Sequence, residues 1–354
     1  MSRIFFLDAN AIYSYYGRDK LGFNSKPVDE KALRRFLLGK ELSLPTSVLI
    51  EVITHFREDV DKLYDLLQFI RELGLPIYNN MPDYCYEPLT LMVLSNMNKE
   101  ELKNYSRHLL AKKVEIEAKF VLLFHEITRD LYAEYKLRGT KLSQDDRDRV
   151  LNFIGVNGYR DCAKQLEAEL VGQLEQGYQN GNEQKILKDY YINKLNESCI
   201  LIDEIIACAV AYKKSENDFI EVIQNTYNDS INAGLDGTNG TMKCIVDVLA
   251  QDKIFLDKAK TTIAAMFGKH AYSKKQTQYL SNVMFTAWFN NSQKLRKNDI
   301  FDMFVVGCLD AKPRSTPSCI LEDNSPCLIS FDKTMKNFIG VVYPYNYQLI
   351  ESIK

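Results

Sequence analysis

Five carboxylates in this chain stand where a fold would gather them. Asp8 closes the apolar run Ile4-Phe5-Phe6-Leu7, and Asp332 follows the apolar run Cys327-Leu328-Ile329, with Ser330 two residues before it. Short continuous apolar runs of this kind read as strands buried in a parallel sheet. Ligands of such a sheet gather outside the carboxyl ends of its strands. Glu51 interrupts the apolar helical stretch Val48-Leu49-Ile50-Glu51-Val52-Ile53. Asp299 and Asp302 are three apart and share one helical face. The apolar residues 303–308 that follow predict a buried helix with its acids at the N-terminal end, where the helix dipole favours negative charge. Taken singly, each acid has a plain reading as a helix cap, a turn residue or a solvent-facing side chain. Taken together, converging carboxylates call for a cation, and Asp and Glu oxygens suit Mg²⁺ or Mn²⁺. Two such ions about 3.5–4 Å apart can clamp the attacking and leaving oxygens of a phosphodiester. That chemistry needs neither His nor Cys, and none of the four His sits in a plausible triad.

The elements that must position these acids differ between the ends of the chain and its middle. At the start, hydrophobic spacing predicts a strand over 4–7, helices over 11–16 and 31–38, and a strand over 42–45 stopped by Pro45. A helix capped by Thr46 or Ser47 then runs to about Phe56, and another spans 59–73, closed by Gly74 and Pro76. From about 98 to 290 strand signals nearly vanish. Helical spacing recurs over 99–138, 145–153, 161–176, 183–213, 219–231, 241–267 and 275–289, with separators at Gly155, at 177–181 and at 234–240. The α/β texture then returns, with a helix over 299–309, a proline-rich loop over 313–326, a strand over 327–330, a short helix over 333–338 and a strand over 340–343. We expect one α/β domain built from both chain ends, residues 1–75 and 291–354, around a parallel sheet. Residues 76–290 are expected to form a large all-α insertion.

Four segments, in order, resemble the motifs of the PIN-domain ribonucleases. Ile4-Phe5-Phe6-Leu7-Asp8-Ala9-Asn10 resembles the opening strand, hydrophobic-D-x-N/S, and Leu44-Pro45-Thr46-Ser47-Val48-Leu49-Ile50-Glu51-Val52 resembles the strand-to-helix segment with the second acid. Lys297-Asn298-Asp299-Ile300-Phe301-Asp302 is similar to the N-D-x-x-D form of the third motif, and Leu328-Ile329-Ser330-Phe331-Asp332-Lys333 to the closing S/T-x-D motif. The resemblance covers residues 1–57 and 295–345. It implies a three-layer α/β/α sandwich with a parallel sheet and Mg²⁺- or Mn²⁺-dependent endonucleolytic cleavage of single-stranded RNA, with a 5′-phosphate and a 3′-hydroxyl on the products. By the same resemblance Asp8, Glu51, Asp299 and Asp302 match the metal-binding acids and Asp332 the variable last acid. Asn10 and Ser330 match the polar partners. A toxin or phage-defence role, and a protein regulator or homo-oligomer as partner, follow from the family alone. Two other classes are carried beside it: a PIN-like scaffold that binds RNA or protein without cutting, and a structure-specific DNA 5′ nuclease. The helical insertion departs from the toxin-type members of the family.

Charge and composition narrow the partners. Lys plus Arg is 45 against 47 for Asp plus Glu, a net charge of -2, which excludes a globally basic nucleic-acid binder but not a local basic face. Residues 253–298 hold nine basic residues, including Lys274, Lys275, Lys294, Arg296 and Lys297, against one acid, Asp257. Phe255, Phe267, Tyr272, Tyr279, Trp288 and Phe289 are interleaved. Such a segment could track a phosphate backbone and stack bases, and it is equally what a solvated helix face over core aromatics looks like. The loop 234–243 does not fit a phosphate-binding G-x-x-x-x-G-K-[ST], and His125-Glu126 lacks the second His of H-E-x-x-H. No apolar run reaches the length of a membrane helix, and the N-terminal run is too short for a signal peptide, so no membrane partner and a cytoplasmic location are expected. The eight Cys form no C-x-x-C pair and are expected to be reduced thiols, mostly in the core.

Overall fold

The computed structural model describes residues 3–24, 29–81, 96–157, 163–212, 219–233, 299–310 and 326–331, together with residues 261, 265, 275, 276, 279 and 335. The chain is an α/β protein with a large helical region. Its contacts divide it into two units, one of Met1–Lys113, Phe267–Leu280 and Asn298–Lys354, the other of Val114–Met266 and Ser281–Lys297.

The first unit is built on a parallel sheet. Strand β1 (Ile4–Leu7) pairs with β2 (Glu41–Pro45) on one side and with β4 (Cys327–Ile329) on the other, and β3 (Ile77–Tyr78) lies beyond β2, giving the order β3-β2-β1-β4 among the described residues. Phe5, Phe6 and Leu7 are all buried, as expected of a central strand covered on both faces. The chain leaves β1 through helices α1 (Ala9–Tyr16) and α2 (Glu30–Leu37), passes β2, and continues through α3 (Thr46–His55) and α4 (Val60–Glu72) to β3. It comes back on the opposite flank of β1. The strand order therefore reverses between β1 and β4, which makes that gap the topological switch point of the sheet.

Local chemistry accounts for most of these bounds, and tertiary contacts for the exceptions. Asp8 leaves β1 in an extended conformation and caps α1, accepting from the Ala9 amide. Asp59 does the same for α4, accepting from Lys62. The expected cap at Thr46 or Ser47 is not made. Pro45 occupies the cap position of α3 without a side-chain bond, and both Thr46 and Ser47 lie inside the helix. Pro45 brings no N–H that needs a partner, and the free amide of Ser47 finds an acceptor from elsewhere in the fold, Oδ1 of Asn80 at 3.1 Å. Strand β3 has no counterpart in the sequence reading. Two residues are too few to show a period, and the strand forms because the Pro76 carbonyl accepts from the Leu44 amide (3.0 Å) and the Ser43 hydroxyl (2.9 Å) of β2.

The second unit is helical where it is described. Helix α5 (Lys99–Arg138) belongs to it from Val114 onward, followed by α6 (Gln144–Asn157), α7 (Ala163–Asn180), α8 (Glu183–Ala211) and α9 (Phe219–Ala233). Gly155, expected as a separator, lies within α6. Gly177 lies within α7, and only Gly181, at φ +69°, makes the turn. Gly177 serves packing instead. A Cβ there would sit 2.9 Å from the Glu183 Cα and 2.7 Å from the Ile186 side chain, so α8 crosses close over it. The expected helices over 241–267 and 275–289 and the strand over 340–343 lie largely or wholly outside the described residues.

A polar seam runs along α5. Tyr178 donates to the fully buried Glu117 at 2.7 Å, His125 Nε2 meets Ser198 Oγ at 3.1 Å, and Tyr132 and Lys136 both reach Asp203 at 3.0 Å. His125 is the group to watch here. Burial pushes its imidazole down to about 4, opposed by a hydrogen bond to the Lys194 backbone and helped by the charges of Arg129 and Lys194. The folded state thus holds it neutral, while the unfolded chain takes up a proton near its ordinary pKa of about 6.5. Its contribution is complete above about pH 6.5 and is lost as pH falls through 6.5 toward 4, where the unfolded state binds the extra proton. We expect urea midpoints to drop between pH 7.5 and pH 4.5 by an amount equivalent to about 3 kcal/mol. His125→Gln should remove most of that slope, and an equal slope in the variant would place the acid sensitivity elsewhere.

Among the described residues no helix is long and apolar enough to cross a membrane. Cys199, Cys208, Cys308 and Cys327 are free thiols, and all but Cys208 are buried.

Candidate active site at the carboxyl ends of the strands

The sheet register places the first functional pair. Leu7 stands opposite Ile329, so the next residues of the two parallel strands, Asp8 and Ser330, face each other at the switch point. The Asp8 amide continues the ladder by donating to the Ile329 carbonyl at 3.1 Å. The Ser330 hydroxyl donates to Asp8 Oδ2 at 2.8 Å, and the Ala9 amide donates to Oδ1 at 2.7 Å. Asp8 is 3% exposed and Ser330 is fully buried. Each carboxylate oxygen is thus held by a donor. Asp8 is both the helix cap that its place after a strand suggests and a fixed anion at the mouth of the sheet.

Helix α1 carries the next groups. Asn10 Oδ1 accepts from Nη1 of Arg18 at 3.4 Å. Arg18 is itself buried, with its guanidinium 4.6 Å over the Phe23 ring and its backbone amide donating to Glu30 at 3.1 Å. Burial lowers the Arg18 pKa, and Tyr13 and Glu30 act in the opposite direction. Tyr13, one turn beyond Asn10, is 5% exposed, and its hydroxyl has no hydrogen-bond partner. Burial raises its pKa well above the usual phenol, and the charges of Glu51 and then Asp8 raise it further, while Arg18 lowers it. The phenol therefore lies in the field of both acids. Sequence reading singled out neither Arg18 nor Tyr13. Tyr13 lies within the expected helix over 11–16 and Arg18 just beyond it, and spacing alone marks neither.

Glu51 is half-buried on α3, amid the fully buried Ile50, Val52 and Ile53. The acid-bearing helix from the C-terminal part is α10 (Asp299–Gly307), in which residues 301–307 are all buried, Asp302 among them. α10 packs on α3, and Asn80 ties the two together. Its Nδ2 donates to the Ser47 hydroxyl and to the Phe304 carbonyl, both at 2.7 Å, while its Oδ1 accepts from the Ser47 amide. Asn80 was invisible to sequence reading, being one polar residue after a turn. At the backbone level Asp299 opens α10 one turn before Asp302; its side chain lies outside the described residues, as does Asp332.

The basic residues are placed differently. Lys275 is not beside the acids. Its amine bonds the Leu309 carbonyl and pairs with Asp310 at 3.5 Å, beyond the C-terminal end of α10, whereas Asp299 and Asp302 stand at the N-terminal end. That is where a helix dipole favours a cation, so the contact accounts for Lys275 structurally. Lys274, Lys294, Arg296 and Lys297 lie outside the described residues.

Among the described residues, no three His, Cys, Asp or Glu stand together at ligand spacing. What is brought together is Asp8 with Ser330, Asn10 with Arg18, and a Tyr13 phenol exposed to the charges of Glu51 and Asp8. No protein-family model, curated protein or solved structure matches the chain.

Proposed function

We propose that the chain is a divalent-metal-dependent endoribonuclease of the PIN-like type, with a three-layer α/β/α nuclease domain and its active site at the β1/β4 switch point. One observation carries the reading. Asp8 and Ser330, 322 residues apart in the chain, share a buried hydrogen bond at the carboxyl ends of adjacent parallel strands. Both belong to the motif set that resembles the family. Asp8, Glu51, Asp299 and Asp302 would hold Mg²⁺ or Mn²⁺, with Asp332 as the last acid. The donor set suits such an ion in its chemistry, since it is oxygen only.

When bound, a divalent ion at this place lowers the pKa of water and stabilises charge on a phosphodiester. The chain's own residues do the rest. Ser330 and the Ala9 amide fix the Asp8 carboxylate in one orientation. Asn10 accepts from Arg18, a guanidinium of the kind that meets phosphate charge. The clamp by Asn80 sets α10, and with it Asp302, against the helix that carries Glu51.

Labelled single-stranded RNA and DNA, incubated with Mn²⁺ or with EDTA, test the reading. We expect RNA to be cut in Mn²⁺ and neither strand in EDTA. RNA retained without cutting would replace the nuclease by a binding scaffold, and cleavage restricted to branched DNA would replace RNA by DNA as substrate.

A further inference from the structure

Among the described residues around Asp8 and Glu51, Tyr13 carries a polar group that the fold does not use. Its ring is walled by Phe23, Phe56 and His55, with centroids 5.3, 5.6 and 6.0 Å away. Those contacts would serve a phenylalanine equally well. The hydroxyl nevertheless sits buried with no partner. Placing a polar atom out of water without a hydrogen bond destabilises a protein, so the atom is either a defect or reserved for something absent from the free chain. Its surroundings favour the second. Asn10 is three residues before Tyr13 on α1, and Glu51 is four residues before His55 on α3, so the phenol lies between the helix faces that carry those two polar groups. Behind the larger effect of its burial, the charges of Glu51 and then Asp8 also bear on the phenol.

We propose that Tyr13 is a positioning residue of the acid pocket, whose hydroxyl donates a hydrogen bond to an oxygen of the pocket's occupant, either a water or a non-bridging phosphate oxygen. The inference rests on the nuclease reading. The carboxylates of such a pocket only accept, and the neutral donors beside Asp8, Ser330 and the Ala9 amide, are already turned to it.

Tyr13→Phe removes that one atom and leaves the ring cage intact. A structural hydroxyl and a reserved one make opposite predictions. If it is reserved, the variant melts at or above wild type in EDTA, because an unsatisfied group has gone. Its functional loss then shows in one of two arms. For a water, the Mn²⁺ concentration that gives half of the thermal shift rises threefold or more with Mn²⁺ alone. For a phosphate oxygen, the Mn²⁺ response is unchanged and kcat for RNA falls about tenfold, with KM held within about twofold, the loss expected for one hydrogen bond. Either result supports the proposal. It is overturned if the variant melts well below wild type in EDTA, or if both its Mn²⁺ response and its kcat match wild type while Asp8→Asn is inactive. A wild-type protein with neither a Mn²⁺ shift nor Mn²⁺-dependent cleavage overturns the nuclease reading and this inference together.

Discussion

Asp8→Asn should lower single-turnover cleavage of single-stranded RNA in Mn²⁺ by a factor of about 100 or more while leaving the fold intact. Asn is as good a helix cap as Asp, so the bond from the Ala9 amide survives. The Ser330 hydroxyl can still pair with the amide, which both donates and accepts. What disappears is the charge. Charge stabilisation through a divalent ion is worth several kcal/mol in the transition state, and each ~1.4 kcal/mol is tenfold in rate. Asp299→Asn should behave alike if its carboxylate belongs to the same site. RNA affinity, carried by other groups, should change little in either variant. The same substitution removes a buried anion from the metal-free protein, so Asp8→Asn should also melt no lower than wild type in EDTA and gain less from Mn²⁺. A variant that cuts within about threefold of wild type would leave Asp8 a helix cap and nothing more.

The second large effect concerns Asn80. Asn80→Ala deletes three buried hydrogen bonds at once, to the Ser47 amide, the Ser47 hydroxyl and the Phe304 carbonyl, and leaves the Ser47 amide without this acceptor. Leaving a buried group unpaired costs about 1–3 kcal/mol, so a total loss of about 3–5 kcal/mol is expected. For a unit of this size that lowers Tm by roughly 6–20 °C. The interest lies in where the damage falls. Asn80 contacts no part of the proposed chemistry, yet it sets α10 against α3 and so governs the spacing between Asp302 and Glu51. Cleavage measured well below the variant's melting point should therefore fall with stability, and the Mn²⁺ response should weaken. Full activity at low temperature would show that α3 and α10 hold their places without the clamp. Asn80→Asp is a useful partner variant. It keeps an acceptor for Ser47 but cannot donate to Phe304, and it adds a buried charge.

Much of this architecture is legible without coordinates because it is local. The apolar run Ile4-Phe5-Phe6-Leu7 could only be a buried strand, and the spacing over residues 99–138 matches α5 at both ends. Asp8, an acid after a strand, takes the cap role that residue type and position allow it. Periodicity reports one chain segment at a time, so it misses what arises between segments. Strand β3 exists because β2 offers it an edge, not because Ile77 and Tyr78 show a pattern. Glycine is equally ambiguous. Gly155 and Gly177 look like breaks but continue their helices, and at Gly177 the missing side chain admits the neighbouring helix.

The candidate site divides along the same line. Sequence by itself determined that Asp8 follows a strand and that Asp299 and Asp302 share a helix, since residue type and spacing along one segment suffice for each. Only the tertiary structure decided that Asp8 and Ser330 touch, because their contact spans 322 residues and depends on β4 returning beside β1. It also took Lys275 away from the acids and paired it with Asp310, a choice set by where the end of α10 lands. Arg18, Tyr13 and Asn80 acquired their roles in the same way. A guanidinium, a phenol and an amide are ordinary residues in sequence, and each becomes informative only when burial removes water and leaves its hydrogen bonds to the neighbours the fold supplies.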